Sequence, residues 1–77
     1  MIVHQVELVD DQAHHAVVWV DAALALRPGN RVHGRDGHVW GVSIVYRQQL
    51  DVADINRDWR VGGAPVTRRV QRRDDHA

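Results

Sequence analysis

Apolar and polar residues alternate in short runs along this chain, a pattern that predicts β-strands rather than helices. The first run covers residues 2–9, and Asp10-Asp11-Gln12 after it predicts a turn. Residues 16–20 are β-branched and aromatic, so we expect a second strand that is buried on both faces. Asp21 then predicts the N-cap of a short helical turn over residues 22–26, because an aspartate side chain can accept a backbone hydrogen bond there.

The clearest local signal is Asp36-Gly37, which stands between two runs of strand-forming residues. A two-residue Asp-Gly loop favours a tight hairpin in which both loop residues have positive φ angles. In that register Arg35 pairs with His38, and His33 pairs with Trp40. We therefore expect His33 and His38 to lie diagonally on one face of the hairpin.

The second arm of this hairpin is long and carries Gly41 within it. Alternation places four large side chains on one face of this arm: Trp40, Val42, Ile44 and Tyr46. A glycine inside a strand predicts a bend or a bulge, and a long bent strand after a tight hairpin is how small barrels turn a corner. Residues 29–46 resemble the first hairpin of SH3-like and KOW-type barrels, in which a Gly-x-x-Val strand meets a Trp-x-Val strand.

The remainder of the chain predicts a capped turn, two short strands and a frayed end. The turn is expected over residues 51–55, and the strands over residues 59–61 and 66–70. We place a single domain at residues 1–71 and a frayed tail at residues 72–77. The fold expected is mainly β: a small SH3-like barrel or a rolled antiparallel sheet with one or two short helical turns.

Length and composition limit which features can stabilise this domain and where in the cell we expect it. A chain of 77 residues supports only a small core, and without cysteine no disulfide can reinforce it, so homodimerisation stays open. No apolar run approaches the roughly 20 residues that span a bilayer, and no basic residue precedes Arg27 in the manner of a signal peptide. We therefore expect a cytoplasmic protein that does not contact membrane.

Charge is distributed unevenly although the formal net charge is zero. All ten basic residues are arginines that follow Leu26, and only acidic residues precede it among the charged types. Arginine offers a planar fork for phosphates, and an arginine-rich end predicts an arm that follows a nucleic-acid backbone. The candidates for nucleic-acid contact are Arg31, His33, Arg35, Arg68, Arg69, Arg72 and Arg73. The alternative is a solvated end neutralised by Asp74 and Asp75.

Six histidines raise the question of a metal site or a catalytic site. His14 and His15 are adjacent, so on a strand they would point to opposite faces. The predicted pair of His33 and His38 has no third ligand beside it, and nothing resembles a zinc spacing. No serine, threonine or cysteine stands in a nucleophile motif. We therefore expect no catalytic residues, no metal and no cofactor, and we interpret the chain as a protein that is not an enzyme.

The tryptophans supply most of the large aromatic volume, because phenylalanine is absent. We expect Trp19 and Trp40 in the core, whereas Trp59 is the best candidate for an exposed ring. Trp59 stands in a polar and aromatic segment that predicts a recognition loop, since Trp and Arg dominate binding hot spots. The candidates for protein contact are Asn56, Arg57, Trp59 and Arg60. The alternative is a capped turn in which Trp59 closes one end of the barrel.

The middle of the chain resembles small accessory proteins of phages that infect actinobacteria, of the mycobacteriophage type. The resemblance is carried by residues 18–21, 26–29, 36–40, 45–46 and 54–63, and it excludes residues 1–15 and the arginine-rich end. Some phage proteins of this size bind and disable a host protein, and some are toxic when expressed. The resemblance lends no catalytic residues to this chain. It implies a binding module that acts in the host bacterial cytoplasm.

Three functions follow from these observations. The leading hypothesis is a phage-derived binding module that docks on a host protein and inhibits host growth. The first alternative is a small barrel that binds nucleic acid through the arginine-rich C-terminal segment. The second alternative is a component of the virion or of its assembly.

Overall fold

Seven strands and one 3-10 turn make up the computed structural model, which describes residues 1–34, 37–55, 59–61, 64–67 and 70–72. The strands are β1 (Ile2–Val9), β2 (His15–Asp21), β3 (Arg31–Gly34), β4 (Val39–Ile55), β5 (Trp59–Val61), β6 (Ala64–Thr67) and β7 (Val70–Arg72). The 3-10 turn covers Ala22–Leu24. The prediction of a mainly β chain with one or two short helical turns is confirmed.

The strands form a ring of antiparallel pairs. β1 pairs with β2, and the order continues through β6, β5 and β3 to β4, which pairs with β1 again. β7 pairs with the far end of β4 and adds to the ring from outside. Closure satisfies backbone groups that an open sheet leaves at its edges. The rolled antiparallel sheet expected from the sequence is therefore closed into a small barrel.

One face of β1, β2, β3, β4 and β6 points into this ring and contributes to the main core. In β1 and β2, buried positions alternate with more exposed ones, as a period of two requires. The main core consists of Val6, Leu8, Val18, Val20, Leu26, Val32, Val42 and Val66. Val17 lies between the buried residues Ala16 and Val18 on β2 and is 42% exposed. The expectation that this strand is buried on both faces is therefore wrong, because the outer face of the ring meets solvent.

Two tryptophans pack at the margins of the apolar clusters. Trp40 is partly buried against the main core, and Trp19 is partly buried against a second cluster. That second cluster contains Val3, Val52 and Ile55. The aliphatic residues fill the interior, and the larger rings cover its edges.

β4 contains irregularities where it pairs with β1. Leu8 pairs with Val42, but the preceding residue of β1, Glu7, pairs with Ile44. Ser43 is therefore an extra residue in β4, which is the definition of a β-bulge. The bulge lies two residues after Gly41, at the bend that the glycine predicted.

This bulge changes which side chains of β4 face the core. Val42 before it is buried, Ile44 after it is 42% exposed, and Val45 packs against the main core instead. Tyr46 is exposed as well. The prediction that Ile44 and Tyr46 share a face with Trp40 is therefore wrong, because strict alternation holds only along an unbroken ladder.

The register of the β3–β4 hairpin differs from the predicted one by a residue. His33 pairs with Val39, and the amide of Gly34 donates a 2.7 Å hydrogen bond to the carbonyl of His38. The predicted pair of His33 with Trp40 is therefore wrong, and Arg35, predicted to pair with His38, lies outside the described residues. Gly37 has a φ angle of 83°, as the turn chemistry requires, and position 36 lies outside the described residues.

The second half of β4 continues as a strand where a capped turn was predicted. Val52 and Ile55 are buried beside Val3, and β4 pairs with β7 over this stretch. Burial of these apolar side chains outweighs the turn tendency of the acidic residues among them. The strand predicted at residues 66–70 is replaced by two strands, β6 and β7, whereas the one predicted at residues 59–61 is confirmed as β5.

The predicted helical turn begins at the predicted cap. The backbone amide of Ala23 donates a 2.9 Å hydrogen bond to Oδ1 of Asp21. The turn stops early because Ala25 adopts a left-handed conformation with a φ angle of 50°. Leu26 after it is buried in the main core.

Candidate functional site: the Asp10 cluster and the outer sheet face

The turn between β1 and β2 is built around the side chain of Asp10. Its Oδ1 accepts backbone hydrogen bonds from Gln12 at 2.9 Å and from His14 at 2.7 Å. Ala13 in this turn has a φ angle of 62°. Aspartate suits such a turn because its carboxylate can receive the amides that the reversing chain leaves unpaired.

The other oxygen of the same carboxylate meets two histidine rings. Nδ1 of His14 lies 2.8 Å from Oδ2 of Asp10, and Nε2 of His38 lies 2.9 Å from that oxygen. His14 belongs to the turn itself, whereas His38 directly precedes β4. The ring of barrel strands therefore brings the β1–β2 turn and the β3–β4 hairpin together at this carboxylate. We call Asp10, Asp11, His14 and His38 the Asp10 cluster.

The environment keeps the Asp10 carboxylate ionised. Its side chain is only 1% exposed, and this burial on its own would raise the pKa. The hydrogen bonds from His14, His38 and Gln12 outweigh burial and hold the pKa of Asp10 well below its usual range. The anion is thus buried and surrounded by donors.

Asp11 and Trp40 adjoin the contact between Asp10 and His38, the first as a residue of metal-ligating type and the second as a packing partner of His38. Ligand atoms of Asp10, Asp11 and His38 all lie within 4.8 Å of one another. The rings of His38 and Trp40 meet edge to face, with centroids 5.1 Å apart and planes inclined by 63°. Trp40 thus packs against the imidazole that reaches Asp10.

This arrangement can perform two kinds of chemistry. When His14 donates Nδ1–H to Asp10, its Nε2 becomes an acceptor on a ring whose side chain is 66% exposed. A carboxylate that orients an imidazole in this way is common in both general bases and metal ligands. The converging atoms of Asp10, Asp11 and His38 are also of the types that divalent metals bind.

Sequence reasoning missed this cluster because two local assumptions were wrong. His14 and His15 were expected on one strand, but β2 begins at His15, and His14 remains in the turn. His15 instead lies 3.4 Å from Glu7. The pair of His33 and His38 is not formed, because in the observed register the two residues lie on opposite faces of the hairpin. The Asp10–His14 spacing was the available signal, since an aspartate that ends a strand often closes the following turn.

Of the residues predicted for protein contact, the structure describes the backbone of two and nothing of the others. Asn56 and Arg57 fall outside the described residues. Trp59 and Arg60 belong to β5, where Trp59 pairs with Gly34 and Arg60 with His33. The side chains of Trp59 and Arg60 are not among the described features, so their role stays a prediction.

Of the residues predicted for nucleic-acid contact, some are described by the structure and others are not. Arg31 and His33 are exposed at alternate positions of β3, on the outer face of the ring. Arg72 belongs to β7. The members of the set that lie outside the described residues are Arg35, Arg68, Arg69 and Arg73. Within the described part of the chain, Arg31 and His33 therefore share one face of β3. A larger basic patch that includes the other arginines stays a prediction.

The outer face of the sheet also carries a row of side chains across three strands, with an exposed apolar residue at each end and a half-buried glutamate between them. Glu7 on β1 pairs with Val17 on β2 and with Ile44 on β4. Cross-strand partners point to the same face, so the three side chains are neighbours. Val17 and Ile44 are each 42% exposed. We call Val17, Glu7 and Ile44 the outer row. In this row one apolar side chain lies on each side of a carboxylate.

The comparisons with known proteins found no matching family model, no matching curated protein and no matching solved structure. The resemblance to accessory proteins of actinobacterial phages therefore stays a prediction. Among the described residues, no helix is long and apolar enough to cross a membrane.

Proposed function

We propose that this chain is a small, non-catalytic binding module of phage origin that docks on a host protein in the bacterial cytoplasm. The observation that supports this proposal best is the outer row. β1 lies between β2 and β4, so the row occupies the middle of a sheet face rather than a free edge. Docking at the centre of this face uses side chains, because the backbone of β1 already pairs with β2 on one side and with β4 on the other.

The composition of the outer row favours a protein partner. Val17 and Ile44 leave much of their apolar area in water, although other β-branched residues of β1 and β2 are fully buried. Single exposed apolar residues are ordinary, but two that share one cross-strand row can enter a partner's surface together. Glu7 between them is 20% exposed and lies 3.4 Å from His15, so the two side chains together would offer the partner polar groups for hydrogen bonding.

Two variants on the same strand test this face. Ile44→Thr shortens an exposed apolar side chain of the outer row and retains a β-branched residue. Val39→Thr is its matched control, because Val39 is also on β4 and is also 42% exposed, but it pairs with His33 of β3 and lies outside the outer row. We expect capture of the host partner to weaken with Ile44→Thr and to persist with Val39→Thr.

The loop around Trp59 provides a second test of the same function. Trp59→Ala should abolish capture while leaving the far-ultraviolet circular dichroism of the barrel intact, if Trp59 is the anchor of the contact. Unchanged affinity would remove this loop from the interface and leave the outer row as the contact surface. Loss of affinity with both Trp59→Ala and Ile44→Thr would indicate one continuous interface.

Nucleic-acid binding is the alternative function, and the exposed pair of Arg31 and His33 favours it. A protein that neutralises phosphates releases counterions, so its affinity falls steeply as the salt concentration rises. Arg31→Gln should then weaken binding to DNA or RNA of any sequence and reduce the slope of affinity against salt. A flat salt dependence would exclude this alternative.

A further inference from the structure

We propose that the Asp10 cluster is a binding site for a divalent transition-metal ion, with Asp10, Asp11 and His38 as its ligands. His14 would act beside them by holding the carboxylate of Asp10 in place. This proposal is independent of the docking function, because it concerns the end of the barrel where the β1–β2 turn meets the β3–β4 hairpin.

The distances are close to those that a metal ion requires. Oxygen and nitrogen ligands bind Zn²⁺ at about 2.0–2.2 Å, so two of them around one ion lie at most about 4.4 Å apart. The ligand atoms of Asp10, Asp11 and His38 already lie within 4.8 Å of one another. A change of rotamer at the exposed Asp11 would bring all three ligand atoms within range of one ion and leave a further coordination position for water.

The two oxygens of Asp10 have separate roles that suit a single metal bond. Oδ1 receives the amides of Gln12 and His14 and is fixed by the turn. Oδ2 faces the imidazoles of His14 and His38. A metal ligand that is oriented by backbone amides and by a neighbouring ring needs little reorganisation on binding.

The charges also balance for a divalent cation. Asp10 and Asp11 supply two negative charges, and a neutral His38 supplies a nitrogen lone pair. Without a cation, Nε2 of His38 shares a proton with Oδ2 of Asp10. The metal would replace that proton, which either moves to the other ring nitrogen or is released to water. A nitrogen ligand together with two carboxylates favours ions such as Zn²⁺ over Ca²⁺, which prefers oxygen ligands throughout.

A metal at this position would join parts of the chain that are distant in sequence. Asp10 and His38 are 28 residues apart, and the ion would bridge the two hairpins that carry them. Small domains often gain stability from a metal when they lack disulfides, and this chain contains no cysteine. Binding should therefore raise the melting temperature as well as saturate at one site.

The first test is calorimetric titration of chelator-treated protein with Zn²⁺. We expect one equivalent to bind in the wild type and in His33→Ala, the matched control. His33 is exposed and lies on the opposite face of the hairpin from His38. We expect His38→Ala and Asp11→Asn to lower the affinity at least about tenfold, because each removes one ligand from an incomplete shell. Asp11 is exposed, so Asp11→Asn keeps the test valid if His38→Ala does not fold.

A spectroscopic measurement identifies the ligand directly. In ¹⁵N-detected spectra of the imidazoles, Zn²⁺ should shift the Nε2 resonance of His38 and leave both nitrogens of His33 unchanged. Failure to saturate, an unchanged affinity in both His38→Ala and Asp11→Asn, or tighter binding of Ca²⁺ than of Zn²⁺ would overturn the proposal.

Discussion

Nε2 of His38 lies 2.9 Å from Oδ2 of Asp10 although 28 residues separate the two in sequence. The contact joins the β1–β2 turn to the hairpin that leads into β4. The same oxygen also lies 2.8 Å from Nδ1 of His14. This carboxylate therefore helps to hold the end of the barrel together, independently of any ligand.

Replacing Asp10 by asparagine should lower stability, because the neutral amide presents an NH₂ group where the carboxylate accepted hydrogen bonds. One of the donors around it then loses its acceptor at a side chain that is only 1% exposed. Urea unfolding measures this as a lower midpoint at an unchanged slope. Asp21→Asn is the control, since asparagine is as good an N-cap as aspartate. A midpoint for Asp10→Asn equal to that of the control would contradict the structural role of Asp10.

The lowered pKa of Asp10 predicts acid-sensitive stability. Its pKa in the folded protein lies below the value of about 3.9 for an unfolded aspartate. The unfolded state therefore binds the proton more readily, and the contribution of Asp10 is complete above that unfolded pKa. It is lost as the pH falls from about 4 toward the folded pKa, and it does not change between about pH 6 and 8.

Unfolding free energies measured from pH 7 down to pH 2 check this dependence. Wild-type stability should fall below about pH 4 more steeply than that of Asp10→Asn, because the variant cannot gain this proton. Parallel curves for the two proteins would show that the hydrogen bonds to Asp10 do not lower its pKa.

The left-handed residue that ends the 3-10 turn predicts a stabilising substitution. Ala25 has a φ angle of 50°, a conformation that disfavours a residue with a Cβ atom and that glycine adopts freely. Ala25→Gly should raise the unfolding free energy by about 0.5–1 kcal/mol, net of the entropy that glycine adds to the unfolded chain. Thermal unfolding should then shift upward by about 2–8 °C for a domain of this size.

Ala23 in the same turn is the matched control for that experiment. Its φ angle is not positive, so Ala23→Gly brings only the entropic cost of about 0.5–1 kcal/mol and should lower the melting temperature. If both glycine variants lose stability equally, the left-handed conformation at Ala25 costs nothing measurable.

A buried histidine near the start of β1 predicts a second stabilising change. His4 is 8% exposed, and its Nε2 has no hydrogen-bond partner among the described residues. An unsatisfied buried polar atom costs about 1–3 kcal/mol, so His4→Leu should raise the unfolding free energy by about 1 kcal/mol. His33→Leu at the exposed surface should stay within about 0.5 kcal/mol of the wild type. A loss of stability in His4→Leu would show that its imidazole is satisfied in solution.

Local chemistry allowed much of the fold to be predicted. The alternation over residues 2–9 matches β1, and Asp21 caps the 3-10 turn because capping depends on residues within one turn. The hairpin at Asp36-Gly37 was located correctly, but its register was wrong by one residue. Glycine with a positive φ angle suits several loop lengths, so the sequence left the loop length open.

The features that could not be predicted depend on distant parts of the chain. Gly41 predicted a bend in β4, but the position of the bulge at Ser43 depends on the pairing of β4 with β1, which no local pattern reports. The Asp10 cluster likewise requires His38 to meet a turn 28 residues away. The strand through Val52 and Ile55 overrides a local turn signal, because both side chains find Val3 beside them.

Capture from an actinobacterial lysate by tagged wild type, Ile44→Thr and Val39→Thr, each with and without nuclease, tests the central claim most directly. The account predicts that one host protein is recovered by the wild type and by Val39→Thr in both conditions, and that Ile44→Thr recovers much less of it. Equal recovery by Ile44→Thr would contradict docking through the outer row. Recovery that disappears on nuclease treatment would contradict a protein partner and make nucleic acid the ligand.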